Sequence, residues 1–128
     1  MTDSRIFVTK TFSKWQRKTG LNDQSLIHAV VEMQSGLVDA QLAQGVVKKR
    51  VAQAGRGKRK SARTLVATCF EGRWFFMFGF MKNEKSNITS EELDWLVRVA
   101  RRLLSLNELE LSVAIEVGEI DEIKQASS

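Results

Sequence analysis

One segment constrains this chain more than any other. Arg73–Met81 reads Arg-Trp-Phe-Phe-Met-Phe-Gly-Phe-Met and is the most apolar stretch of the sequence. A run of this kind suits a strand buried on both faces at the middle of a sheet. The segment before it, residues 64–70, is a second strand, and Glu71-Gly72 between them marks a tight turn. Strands joined by so short a turn are antiparallel neighbours. Residues 46–52 form a further strand, with Val47 and Val51 set among charges.

The flanks have other periods. Residues 5–9, with Ile6, Phe7 and Val8 at their centre, predict a short first strand. Thr9 or Thr11 can cap a helix that carries Phe12 and Trp15 on one side, and Gly20 stops it. Asn22 caps a second helix in which Leu26, Ala29, Val30 and Met33 recur at helical spacing, up to Gly36. Thr89 and Glu92 make a capping box for a strong helix with Leu93, Leu96, Val97, Ala100, Leu103 and Leu104 on one face. Asn107 can cap one more short helix to about Val117, and residues 119–123 are either a last edge strand or a frayed tail. The expected order is β-α-α-β-β-β-α with a short C-terminal addition. That is an α+β fold, with helices packed on a small, twisted, mostly antiparallel sheet. A length of 128 residues suits a single domain, with a core at about 5–105 and an acidic extension at about 106–128.

Charge is distributed unevenly. The net charge is +5, and residues 40–70 contain no acidic residue. That block holds Lys48, Lys49, Arg50, Arg56, Lys58, Arg59, Lys60 and Arg63, while the tail beyond Leu106 is acidic. Residues 53–61, with two glycines and four basic residues, read as a loop. Unneutralised positive charge of this density marks either a solvated loop or a surface matched to phosphates, and the second reading is favoured. The single cysteine, Cys69, rules out an internal disulfide and is read as a buried hydrophobe. With a polar N-terminus and no apolar run of membrane-spanning length, the expected place is the cytoplasm and no membrane partner is expected.

Several chemistries are excluded. One histidine, His28, and one cysteine do not make a zinc constellation. There is no Ser-His-Asp set with a sensible base and no Cys-His pair placed to meet. Gly55-Arg56-Gly57-Lys58 lacks the spacing of a phosphate-cradling loop. Carboxylate pairs are absent from the basic block, so neither a metal nor another cofactor is expected.

Lysine and arginine remain, and they suffice for cutting RNA, because the substrate supplies its own nucleophile in the 2′-hydroxyl. Arginine stabilises the extra charge on the phosphorane with a bidentate fork. A lysine crowded by other cations can exchange protons near neutral pH. Lys48 and Arg50, two apart on one strand, project from one sheet face. Arg63 opens the next strand and Lys82 ends the third, at the same edge of an antiparallel pair. These four are the candidate catalytic residues. Lys49, Arg56, Lys58, Arg59 and Lys60 are the candidate RNA- or ribosome-binding residues. The plainer alternative is that these cations only solubilise the strands and guard a sheet edge.

Particular residues also carry a resemblance. Val47-Lys48-Lys49-Arg50-Val51-Ala52, Gly55-Arg56-Gly57-Lys58, Arg63-Thr64, the run from Phe75 through Lys82-Asn83-Glu84 to Asn87-Ile88, and Glu92-Leu93 resemble the RelE/HigB toxins of the RelE/ParE superfamily. Gly36 to Leu42 fits the same branch, and the likeness covers about residues 6–106. It implies the toxin of a type II toxin–antitoxin pair, acting as a ribosome-dependent mRNA endoribonuclease that inhibits translation. It also implies a cognate antitoxin, of the helix-turn-helix DNA-binding kind, through which alone the toxin would meet operator DNA. By position, Lys48, Arg50, Arg63 and Lys82 match places where family nucleases hold catalytic or phosphate-binding side chains. Two departures stand out: Lys60-Ser61-Ala62-Arg63 replaces a Gly-Gly-containing turn, and the chain has no tyrosine. The alternatives within the superfamily are a non-catalytic inhibitor of DNA gyrase of the ParE kind, and a degenerate toxin that keeps only antitoxin binding.

Overall fold

The computed structural model describes residues 4–52 and 61–125. Its elements run β1 (Arg5–Thr9), α1 (Lys10–Thr19), α2 (Asp23–Gln34), β2 (Ala40–Ala43), β3 (Val46–Val51), β4 (Ala62–Thr68), β5 (Arg73–Met81), α3 (Ser90–Leu104), α4 (Glu108–Glu116) and β6 (Ile120–Ile123). The α+β class and the expected order hold, with β2 added, and the segment at 119–123 is the edge strand and not a frayed tail. The strands lie in the order β2-β3-β4-β5-β1-β6. All neighbours are antiparallel except β1 and β5, which run parallel. As expected, β5 lies inside the sheet, and Trp74, Phe75, Phe76 and Met77 are buried.

Helices cover both faces. Phe12 of α1 and Leu26, Ala29, Val30 and Met33 of α2 pack on Ile6, Val8, Val47, Val66, Trp74 and Phe76. On the other face Leu96, Ala100 and Leu103 of α3 and Leu111 and Ala114 of α4 pack on Phe7, Val46, Leu65, Phe75 and Met77. Thr9 and Asn22 cap α1 and α2. Full capping boxes start α3 (Thr89 with Glu92) and α4 (Asn107 with Glu110). Each box satisfies two orphan amides at a helix start.

The alternation of β5 changes partway along. Leu65 pairs with Phe78 but Val66 pairs with Phe76, so Met77 is an extra residue, a β-bulge. The Thr9 hydroxyl donates to the Met77 carbonyl at 3.0 Å. After the bulge, Phe78 and Phe80 join the α3 face, and Gly79 turns to α1. There the Trp15 ring lies where a side chain would be: a Cβ on Gly79 would sit 2.4 Å from Trp15 Cζ3.

Two details differ from the sequence reading. β4 spans 62–68 instead of 64–70, because Thr68 ends it: its hydroxyl donates to the Arg73 carbonyl and accepts from the Phe70 amide. Cys69 therefore falls in the turn and is exposed, not buried. Phe70 takes a φ of 62° there, and its ring packs edge-on against Trp74. The acidic extension joins the sheet through β6. Glu122 holds Arg5 at 2.8 Å, and Glu108 holds Arg73 at 2.5 Å, both at the starting ends of β1 and β5. The Glu122 carboxylate raises the pKa of the Arg5 guanidinium, through hydrogen bonding first.

The Gly79 contact predicts that Gly79→Ala overpacks against Trp15 and costs about 1–3 kcal/mol. Urea unfolding measures this, and an unchanged midpoint would contradict the packing.

Candidate nucleic-acid interface

The three central antiparallel strands set the geometry. Arg50 pairs with Arg63 across β3 and β4, and Arg63 pairs with Phe80 across β4 and β5. One row over, Lys48 pairs with Leu65, and Leu65 pairs with Phe78. Since strand side chains alternate, Lys48 and Arg50 share the face of Val46, and Arg63 shares the face of Leu65. Val46 and Leu65 belong to the core under α3. So Lys48, Arg50 and Arg63 lie on the α3 side of the sheet, at the end away from the acidic extension. Lys82, exposed, is the next residue after Met81, which pairs with Ala62. It stands at the same end, beside the start of β4.

Two like charges directly opposite on one sheet face destabilise a strand pair unless an anion lies between them. Arg50 is 59% exposed, and among the described residues its one ion-pair partner is Asp39, at 4.0 Å. Arg63 is half-buried, and its Nη1 donates to the Ser61 hydroxyl at 3.0 Å. The turn that departs from the Gly-Gly pattern thus supplies an acceptor that orients the arginine. Among the described residues no carboxylate pairs with Arg63, Lys48 or Lys82. Register alone thus sets two arginines opposite each other on this face, with Lys48 one row along and Lys82 at the same end.

Lys49 does not belong to this face. It is 4% exposed and points to α2, where its ammonium meets Glu32 at 2.9 Å and donates to the Leu37 carbonyl at 2.9 Å. The expectation that it contacts RNA does not fit this placement. Adjacent residues on a strand face opposite ways, and the sequence offers no partner signal close to Lys49 for a buried ammonium. The Lys49 ammonium holds the Glu32 carboxyl below its usual value, by hydrogen bonding first. Arg56, Lys58, Arg59 and Lys60 lie outside the described residues. His28 is exposed beside Glu32, a surface neighbour with no part in the basic face.

A family model described as the RelE toxin of the RelE/RelB toxin–antitoxin system matches residues 4–123. The chain belongs to the RelE toxin family. It is therefore the toxin of a toxin–antitoxin pair, and the family implies a cognate antitoxin as its partner. No curated protein matches the chain. No helix among the described residues is long and apolar enough to cross a membrane.

The toxin's Lys-Asn-Glu motif has a structural role that its letters conceal. The Glu84 carboxylate accepts from the Met81 amide at 2.8 Å, and the Glu84 amide donates to the Met81 carbonyl at 2.9 Å. This closes a turn directly after β5, with Lys82 inside it. Sequence reasoning passed over Lys85, whose ammonium binds both Glu92 oxygens at 2.5 and 2.6 Å. Glu92 was legible as a helix cap and as part of the resemblance, and nothing in the spacing joined it to Lys85.

The two faces respond differently to substitution. Arg50→Gln or Arg63→Gln should each lower the slope of log RNA affinity against log salt by about one. Lys49→Met should leave that slope unchanged and cost about 1–3 kcal/mol of stability instead. Glu32 has a depressed folded-state pKa, so its contribution is present above the free value of 4.5 and lost as pH falls through the lower folded value. Lys49→Met should flatten that acid limb in thermal unfolding. An altered salt slope, or an unaltered acid limb, would reassign Lys49.

Proposed function

We propose that this RelE-family toxin is an mRNA endoribonuclease that acts on the ribosome, without a metal, through the 2′-hydroxyl of its substrate. The observation that supports this most is the opposition of Arg50 and Arg63 across β3 and β4, on a face with Lys48 and with Lys82 at the same end. The phosphodiester sits between the two guanidinium forks, which stabilise the charge that builds on the non-bridging oxygens of the phosphorane. The 2′-oxygen bonds to phosphorus and the 5′-oxygen leaves, giving a 2′,3′-cyclic phosphate and a 5′-hydroxyl. One of Lys48 and Lys82 takes the 2′ proton, and the other gives a proton to the leaving oxygen. Arg56, Lys58, Arg59 and Lys60 add contacts to rRNA or mRNA backbone. The antitoxin, a helix-turn-helix protein in this reading, neutralises the toxin by covering this face with acidic side chains and brings it to operator DNA. The action belongs in the cytoplasm, where translated messages are.

Primer extension on a translated message tests the reading. Induction should create new 5′ ends, and Arg50→Ala or Arg63→Ala should each reduce them about a hundredfold. Absence of new ends, or full cleavage by the doubly substituted protein, would overturn it.

A further inference from the structure

Lys85 lies beside the basic face and has no place in the chemistry above. Its ammonium is held by both carboxylate oxygens of Glu92, the residue that completes the capping box of α3. The same ammonium stands 5.7 Å from the centre of the Phe78 ring and 5.9 Å from that of Phe80. Phe80 is the register partner of Arg63, and Phe78 is the partner of Leu65, which in turn faces Lys48. One side chain therefore joins the turn after β5, the first turn of α3 and the aromatic end of both basic rows.

Resting on the cleavage reading, we infer that Lys85 is a positioning residue of the site: it clamps the turn that carries Lys82 onto Phe78 and Phe80, beside Arg63. Three features support positioning over direct contact with RNA. The Lys85 charge is already matched by a carboxylate that takes part in a helix cap, so a phosphate would have to displace Glu92. The side chain is 29% exposed, against 59% for Arg50, and its charge lies over aromatic rings. The Lys85 amide also donates to the Met81 carbonyl, so backbone and side chain of one residue fix both ends of the turn.

Lys85→Met keeps an apolar stem on the rings and removes the charge, and Lys85→Arg keeps both. Two readouts on the full chain separate this inference from its parent. Amide hydrogen exchange at Glu84 and Lys85 needs no activity, and Lys85→Met should speed it about tenfold. Cleavage of a translated message should show kcat reduced about tenfold with KM nearly unchanged, as for a catalytic group displaced by a fraction of its reach. Lys85→Arg should restore most of both. If the wild-type protein cuts no message, the parent reading fails and exchange alone decides the clamp. Unchanged exchange in Lys85→Met overturns the inference. So does a loss confined to KM, which would make Lys85 a phosphate ligand.

Discussion

The register of three antiparallel strands decides which distant side chains can meet in this protein. Pairing Arg50 with Arg63 places two cations opposite each other with one weak carboxylate contact nearby. A strand pair built for stability alone would put opposite charges or apolar groups there. The fold tolerates the repulsion because the apolar residues of these strands are locked on both faces, by Val47 and Val66 against α1 and α2 and by Val46 and Leu65 against α3. The basic face is thus a surface in which core packing holds like charges together.

The bulge at Met77 extends that logic across the sheet. Without it, Phe78 and Phe80 would face α1 and Gly79 would face α3. With it, the aromatic pair lines up with Leu65 and Arg63, and Gly79 makes room for Trp15. The Thr9 hydroxyl that meets the bulged carbonyl also caps α1, so one residue serves both the sheet and a helix start. Lys85 then closes the aromatic end and ties it to α3. Charge, packing and turn chemistry converge at one end of the sheet, while Arg5 and Arg73 anchor the acidic extension at the other. Among the described residues, the extension's ion pairs with Arg5 and Arg73 thus lie at the end away from the basic rows.

Much of this was legible in the residues because the signals are local. Thr9, Asn22 and the boxes at Thr89 and Asn107 each mark a helix start within four positions. The apolar run of Arg73–Met81 suits an inner strand. The shared face of Lys48 and Arg50 follows from a spacing of two. What escaped depends on partners far along the chain. Lys49 reads as one more member of a basic run, and only α2, with Glu32, shows that it is buried on the other face. The bulge leaves no mark in so apolar a stretch, because shifting its alternation exchanges one apolar side chain for another on each face. β2 is a short edge strand whose few apolar residues make no pattern. Cys69 was misplaced because apolar neighbours suggested burial, whereas the Thr68 side chain ends the strand before it.

The account stands on Arg50 and Arg63 repelling each other until an anion separates them. A double-mutant cycle on unfolding free energy, with Arg50→Gln, Arg63→Gln and the double substitution at low salt, measures that term directly. The expected result is a repulsive coupling of about 0.2–1 kcal/mol that vanishes near 1 M salt. An attractive coupling, or none at low salt, would contradict it.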